Sequence, residues 1–472
     1  MPQPGAPAII ENGVVTTWDE LETAVERIAA GLATLGLGAG DRAVWCGPNS
    51  TEVVVLMHAF RRLGLVSVPM PYRLTAGEAA HLLADSGAAL AVVDPAYAAL
   101  APGGLTFDEV TEAGAGSPPP AAAGEGATML YTSGTTGRPK GAVRRPSDPA
   151  LTAALLAELG FAAGEVHLVT GPLYHAGPHA FALLTHRIGG TLVLSRRFDA
   201  GQWAGLAARY GVTSAFVAPV HLKRILALPG DVELPSMRAL VVNAAPVPYA
   251  LKQEVIARLG EGSLYEIYGS TELGIATVLR PEDQLRKPGS CGRPYGGVEL
   301  RVVGEDGGDV PAGAAGELFI RSANAMAGYH GSTQQLAELP GGWKSVGDEA
   351  WLDGEGYLHI CDRRTDVVIT GGMNVYPAEV EAAIHAHADV ADVAVFGVAD
   401  DEWGERVHAV VVPRPGAAVD SGALDAFLAE RLAGFKRPRS WSFRDELPRT
   451  ESGKLLKRVL RAEHEALEPA PT

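Results

Sequence analysis

Cysteine is scarce in this chain: Cys46, Cys291 and Cys361 are the only three among 472 residues. None forms a CxxC pair, and so sparse and odd a set suits a reducing compartment, with the thiols packed as small apolar side chains. No run of about 18 uncharged apolar residues occurs, so no membrane-spanning helix is expected. The opening MPQPGAPAIIENG has neither the basic nor the apolar stretch of a secretory leader, and the expected location is cytoplasmic. Basic charge is also short. Lys and Arg number 39 against 55 Asp and Glu, a net charge of −16, which argues against a nucleic acid held on a basic face.

Hydrophobic residues make up 47% and charged residues 20%, the balance of a globular protein that can bury a large core without staples. Along the chain, helical periodicity alternates with short β-branched runs. Leu21 to Leu35 reads as an amphipathic helix opened by the capping signal Thr17-Trp18-Asp19-Glu20. Arg42 to Trp45 and Leu65 to Val68 read as strands flanking a helix over Glu52 to Leu63. This alternation implies βαβ units and a mostly parallel sheet. Ala113 to Gly126 reads as an exposed Pro/Gly/Ala spacer. Val241-Val242 continues the pattern as a strand, followed by a helix near Pro248 to Leu259. Between Gly296 and Ile320 the signal becomes short strands broken by Gly and Asp turns, as in a small antiparallel or barrel-like unit. A strand–helix–strand segment follows Asp362, and a basic helix is expected near Lys454 to Arg461.

The densest local signal is Tyr131-Thr132-Ser133-Gly134-Thr135-Thr136-Gly137-Arg138-Pro139-Lys140-Gly141. Its three glycines let backbone approach an anion, and its hydroxyls and Lys140 supply donors, the composition of a phosphate cradle. It is not the nucleotide P-loop, because Lys140 precedes its glycine instead of following it. A flexible Gly/Thr surface loop has the same composition, and the segment alone leaves both readings open. Gly36-Leu37-Gly38-Ala39-Gly40 misses the GxGxxG spacing and reads as a plain turn. His385 and His387 have no ligand set near them in sequence and read as surface residues.

The glycine–threonine segment resembles the signature of the adenylate-forming superfamily of acyl-CoA synthetases, adenylation domains and luciferases, and further segments agree in order along nearly the whole chain. Pro172-Leu173-Tyr174-His175 resembles the substrate gate, Asn243-Ala244-Ala245-Pro246 the adenine turn, Tyr268-Gly269-Ser270-Thr271-Glu272 the YGxTE motif, and Gly347-Asp348 the ribose-binding motif. Asp362-Arg363 resembles the hinge, Thr370 to Pro377 the loop after it, and Leu447 to Lys454 the catalytic-lysine motif.

The resemblance implies a large N-terminal AMP-binding domain, residues 1–361, of parallel βαβ sheets with a small β-barrel-like subdomain. A small mobile α+β C-terminal domain, residues 362–472, would follow. It also implies a two-step reaction: a carboxylate attacks the α-phosphate of ATP to give an acyl-adenylate and pyrophosphate, and coenzyme A then displaces AMP. By the same resemblance Lys454 bridges carboxylate and phosphate, and Glu272 holds Mg²⁺. Asp348 takes the ribose hydroxyls and Arg363 ribose or phosphate. Thr132, Ser133, Gly134, Thr135, Thr136, Gly137, Lys140 and Thr271 hold phosphate. Asn243, Ala244, Ala245, Pro246, Tyr268 and Gly269 contact the nucleotide. His175 gates the acid and thiol channels, and Gly371 and Gly372 let the pantetheine arm pass.

Three departures from the family pattern are Val346 before Gly-Asp, Thr365 after the hinge arginine, and Asn243 at the adenine turn. They leave open a variant specialised for the thioester-forming half. An acyl-AMP ligase or carrier-loading enzyme, a luciferase-type oxygenase and a binding-only regulator are the other readings, and the oligomeric state, a homodimer included, is open.

As for the acid, the gate lacks the aspartate of amino-acid-activating relatives, and Ile267 stands where relatives taking small dicarboxylates carry arginine. An apolar monocarboxylate fits. The small residues Ala176, Gly177, Gly269 and Gly274 suggest a roomy pocket for a long or polycyclic acid, unless neighbouring bulky side chains fill the space. Finally, Lys436 to Arg461 holds nine basic residues and three acidic ones. Lys454 lies within this run, which reads as a basic lid on an acidic body. A hinge at Asp362 yields the first prediction: Asp362→Pro slows acyl-CoA formation more than pyrophosphate release when the half-reactions are assayed separately, whereas equal losses would count against a pivot there.

Overall fold

The computed structural model describes residues 5–133, 139–230, 232–243, 247, 249–304, 306–333, 335–363, 368–375, 377–417, 419–448 and 457–467. Among these, four sheets are present. The first is built on continuous apolar runs such as Ala239–Val242, every residue of which is buried, as strands covered on both faces require. Its central strands Thr191–Leu194, Val166–Val169, Ser214–Val217, Ala239–Val242 and Leu264–Ser270 run parallel, and Gly274–Leu279 turns back antiparallel on the last of them. The second sheet carries the parallel strands Leu90–Val93, Arg42–Cys46, Val66–Pro69 and Thr128–Ser133, then the antiparallel Pro139–Arg144 and Gly328–Tyr329.

The alternation expected from sequence is present. The helix Trp18–Thr34 opens as its capping signal implies: Thr17 Oγ1 accepts from the Glu20 N–H, and Glu20 Oε2 accepts from the Thr17 N–H at 2.8 Å. The third sheet, with strands Glu299–Val303, Gly316–Arg321, Trp343–Ser345, Asp348–Leu352 and Leu358–Arg363, is antiparallel throughout. The fourth, with strands Val368–Thr370, Met373–Val375, Val390–Asp400, Gly404–Pro413 and Ser440–Phe443, encloses its own apolar core around Val395, Ala409 and Leu424. The architecture is therefore a large α/β part of mostly parallel sheets with an attached antiparallel unit, followed by a smaller part built on antiparallel strands.

Two expectations are corrected. The spacer over Ala113–Gly126 is exposed along most of its length, but its end is docked: the Ala123 N–H donates to the Arg62 carbonyl at 2.9 Å, and a Cβ on Gly126 would overlap the Leu65 carbonyl. The expected C-terminal helix is present over Lys457–Leu467; Lys454, where it was expected to begin, lies outside the described residues. The basic run is not a free lid. Lys436 is buried between Glu78 and Glu379, Lys457 pairs with Glu381 at 2.7 Å and Arg444 with Glu463 at 2.7 Å.

Close packing of the first helix depends on Gly31. A Cβ there would overlap the carbonyl of Val110 on the helix Phe107–Ala113, and Gly114 in turn abuts the Gly31 backbone. In an unhindered helix, Gly→Ala stabilises by about 0.5–1 kcal/mol. Here Gly31→Ala is expected to destabilise by about 1–3 kcal/mol through overpacking, a reversal of sign readable by chemical denaturation.

Candidate active site

A cavity of about 1280 Å³ opens where the large and small parts meet. Two hairpins deliver its polar wall. Thr128–Ser133 and Pro139–Arg144 pair in a register that sets Thr132 opposite Lys140 and Ser133 opposite Pro139. The two strands flank the glycine–threonine stretch, residues 134–138, which lies outside the described residues, and Thr132 and Lys140 line the cavity as cross-strand neighbours. The second hairpin joins Leu264–Ser270 to Gly274–Leu279 and presents Thr271 and Glu272 at its turn. Gly274 has φ +78°, and a Cβ on Gly269 would overlap the Gly274 carbonyl. These two glycines serve the turn, not the roominess of the pocket.

Glu272 is the junction of the two hairpins. Its Oε1 accepts from Thr132 Oγ1 at 3.2 Å and from the Tyr329 hydroxyl at 3.0 Å, while its backbone carbonyl accepts from the Met326 N–H at 2.6 Å. Arg144 donates to the Thr271 carbonyl at 2.6 Å, and burial lowers its pKa while the Glu272 charge raises it. Lys140 Nζ stands 5.9 Å from the centre of the Tyr329 ring. Neither Arg144 nor Tyr329 was expected from sequence. Each lies outside the recognised motifs, although Arg144 follows the first motif by only three residues.

The far side of this wall holds Asp348, almost wholly buried and hydrogen-bonded to the Tyr268 hydroxyl. Strand pairing sets Asp348 opposite Arg363 and Glu349 opposite Asp362, so the hinge pair emerges beside the carboxylate predicted to take ribose. Asn243 Nδ2 donates to the Ile267 carbonyl at 2.7 Å, tying the end of one parallel strand to the next. That bond accounts for a polar side chain where the family pattern differs. Val346 packs among apolar neighbours next to the site.

The acid side is apolar. Ala176, Gly177, Ile267 and Gly274 all line the cavity. Gly177 does not open it, however: a Cβ there would overlap the Phe216 ring, which occupies that space and packs on Phe181 with ring centres 5.0 Å apart. His175 sits at the N-cap of the helix Ala176–Arg187 with no side-chain capping bond, its ring 4.5 Å from that of Tyr174. Desolvation, with a smaller contribution from the Arg73 charge, lowers its pKa to about 4.

The small part closes the mouth with Gly371, Gly372 and Met373. Gly371 has φ +58°, its N–H donates to the Trp403 carbonyl at 2.8 Å, and a Cβ would come within 2.5 Å of the Trp403 ring. That indole lies between two guanidinium groups, Arg439 at 4.1 Å and Arg224 at 4.9 Å from the ring, another feature absent from the sequence reading.

The structure therefore gathers Thr132, Lys140, His175, Asn243, Tyr268, Gly269, Thr271, Glu272, Asp348, Gly371 and Gly372 on one cavity. Gly134, Thr135, Thr136, Gly137, Ala244, Ala245, Pro246, Thr365 and Lys454 lie outside the described residues, as do the side chains of Ser133, Asp362 and Arg363.

One consequence is independent of any ligand. Between pH 6.5 and 4 the unfolded chain protonates His175 and the folded chain does not. This ring's contribution to stability is thus complete above pH 6.5 and declines as the pH falls toward 4. Its NMR ring resonances are expected to show no protonation step between pH 8 and 5; a midpoint near 6.5 would contradict a desolvated, neutral imidazole.

Comparison with known proteins agrees with this geometry. The model of the AMP-binding enzyme family matches residues 2–330, and that of the AMP-binding enzyme C-terminal domain residues 379–454. The chain is 38% identical to a feruloyl-CoA synthase of Amycolatopsis sp, covering 97% of this chain and 96% of the relative. Among solved structures, it superposes on o-succinylbenzoate CoA synthetase (MenE) from Bacillus subtilis bound with its product analogue OSB-NCoA at a TM-score of 0.86, with 30% identity and coverage of 97% and 95%. The same enzyme in complex with the acyl-adenylate intermediate OSB-AMP gives a TM-score of 0.71 at 29% identity, with coverage of 99% and 96%. Matched along nearly its whole length, with both family segments in order around one cleft, the chain belongs to the AMP-binding enzyme family of ATP-dependent, adenylate-forming acyl-CoA ligases.

Proposed function

We propose that the chain converts an apolar monocarboxylic acid, carrying a ring or a long hydrocarbon body, to its coenzyme A thioester through an acyl-adenylate. The observation that carries this reading is the single cavity in which the Glu272 junction, the Tyr268–Asp348 pair and the Gly371–Trp403 mouth share space with an apolar arm. That arm contains Phe181, Phe216, Ile267, Leu151 and Leu155. Ile267 and the aromatic pair offer an acid no counter-charge at that end, which favours a body without a second carboxylate.

In this reading the attack of a carboxylate on a polyanion is made possible by Lys140 and Lys454, with Thr132 and Thr271 donating to phosphate oxygens. Asp348 takes the ribose hydroxyls, its orientation held by Tyr268. Glu272 fits as the protein's share of a magnesium site, since Mg²⁺ is commonly held by one or two carboxylates plus substrate phosphates, and Thr132 and Tyr329 fix that carboxylate's orientation. A bound Mg²⁺ would neutralise phosphate charge. His175, neutral above about pH 4, can accept or donate a hydrogen bond at the gate without adding charge to the acid channel.

We further infer a pivot at Asp362 separating parts 1–361 and 362–472. The present arrangement then corresponds to the thioester-forming one. Gly371, Gly372 and Trp403 stand at the cavity mouth, where the thiol must enter. The TM-score is higher with the product-analogue complex, which is that of a double mutant of the Bacillus subtilis enzyme, than with the acyl-adenylate complex of that enzyme, and this supports the assignment.

The test is mass spectrometry of reactions containing ATP, Mg²⁺, coenzyme A and a panel of aryl, fatty, polycyclic and dicarboxylic acids, with wild type and Phe216→Ala run in parallel. Acyl-CoA plus AMP from an apolar acid is expected, with Phe216→Ala shifting the preference toward bulkier members by about tenfold in kcat/KM. AMP without thioester would overturn the choice of coenzyme A as acceptor, and a preference for a dicarboxylate would overturn the acid class.

A further inference from the structure

We propose that Lys436, Glu78 and Glu379 form a charged latch that holds the small part over the cavity in the present arrangement, and that this latch must open for the other half-reaction. Lys436 and Glu78 are then positioning residues for thioester formation. The inference rests on the acyl-CoA ligase reading and on its two arrangements of the parts.

None of the three residues belongs to the motif segments quoted from the sequence, although Glu379 and Lys436 fall within residues 379–454 matched by the C-terminal family model. Lys436 ends the short helical turn Gly434–Lys436 of the small part. Its Nζ lies 2.7 Å from Glu379 Oε1 on the same part and 2.9 Å from Glu78 Oε1 on the helix Ala76–Ser86 of the large part. All three side chains are at most 10% exposed. Burial acts to lower the Lys436 pKa, but the carboxylates of Glu379 and Glu78 override it and hold the ammonium above its usual value.

Glu78 is itself fixed. Its other oxygen, Oε2, accepts from the Thr75 N–H at 2.8 Å and from Thr75 Oγ1 at 3.0 Å, and that hydroxyl also lies 3.3 Å from the Arg431 carbonyl across the boundary. The large part therefore presents a preset carboxylate rather than a flexible surface one. Elsewhere on the boundary, the Arg224–Glu402 pair at 2.6 Å is exposed on both sides, and Lys223 donates to the Asp401 carbonyl from an exposed position. Exposed pairs contribute little, whereas breaking a buried pair leaves an uncompensated charge. The buried triad therefore dominates the polar part of the boundary.

It is also built to release. Two carboxylates share one ammonium, a net negative charge, and Glu379 Oε2 is buried without a hydrogen-bond partner. An incompletely compensated contact of this kind favours one arrangement without locking it, as a catalytic cycle that alternates between two arrangements requires.

Glu78→Gln tests this. The amide oxygen can still accept from the Thr75 N–H, so the helix cap survives while the charge facing Lys436 is removed. Small-angle X-ray scattering of the ligand-free protein reads the arrangement without knowledge of the acid. Wild type is expected to follow the curve calculated from this structure, and Glu78→Gln to depart from it. With an acid identified by the panel, Glu78→Gln is expected to keep pyrophosphate release within about twofold and to lose about tenfold in acyl-CoA formation, at an unchanged melting temperature. Lys436→Gln removes the ammonium from the small part's side, leaving Glu78 and Glu379 without their shared counter-charge, and is expected to give the same split, so the proposal does not depend on one variant folding. Unchanged scattering together with unchanged rates, or an equal fall in both half-reactions, would overturn the latch. If no acid is turned over, the proposed function fails, while the scattering comparison still decides whether the triad sets the arrangement.

Discussion

The Glu272 carboxylate is the tie on which the rest of the nucleotide side depends. It stands at the turn of a hairpin in one sheet and accepts from Thr132 on a hairpin of another, while Tyr329, on the strand that edges that second sheet, holds the same oxygen. Two sheets are thereby given a common reference point on the cavity. A charge-assisted bond in a partly buried setting is stronger than a neutral one, and its geometry propagates through rigid strands rather than loops. Arg144 reinforces the same corner from beneath by fixing the backbone of Thr271. The motif residues gather on one cavity because the hairpins that carry them are knotted at this carboxylate.

Around that fixed corner the molecule divides its tasks. The parallel sheets supply walls, the antiparallel unit supplies Asp348, and the small part supplies a mouth built on Gly371 and Trp403. The walls are packed to the point that single atoms matter, as at Gly31, Gly126 and Gly177, where a Cβ would overlap neighbouring backbone or ring. The boundary between large and small parts is different in kind. Among the described residues it carries a few polar contacts, of which the Lys436 cluster is buried. Rigid walls with a polar, sparsely fastened boundary are the physical prerequisites for a body that moves as a unit.

Much of this was legible in the sequence, and the reasons are local. The parallel strands announced themselves as unbroken apolar runs because both their faces are covered, and the first helix did so through the Thr17–Glu20 cap. The motif residues were recognisable because anion recognition demands glycines and hydroxyls at fixed spacing. What could not be read depends on pairing between distant segments. Tyr329 and Arg144 look like ordinary surface residues until the Gly328–Tyr329 strand is laid beside Pro139–Arg144. Lys436 counted as one cation in a basic run, but its partner Glu78 is contributed by the opposite end of the chain. Gly177 suggested open space because nothing near it in sequence indicates that Phe216 fills that space. Gly269 and Gly274 misled for a related reason: their smallness serves a tight turn.

The placement of Phe216 has a consequence for how such a protein can diversify. The ring reaches the cavity from within the strand Ser214–Val217, while the groups proposed to face phosphate and ribose come from other strands and turns. In the proposed reading, the ring that sets the depth of the acid arm makes no hydrogen bond to the groups facing the nucleotide. Over evolutionary time, copies of such a gene can exchange one acid for another by altering a single buried ring and the glycine beneath it. Such a change leaves the hydrogen bonds at Glu272 untouched.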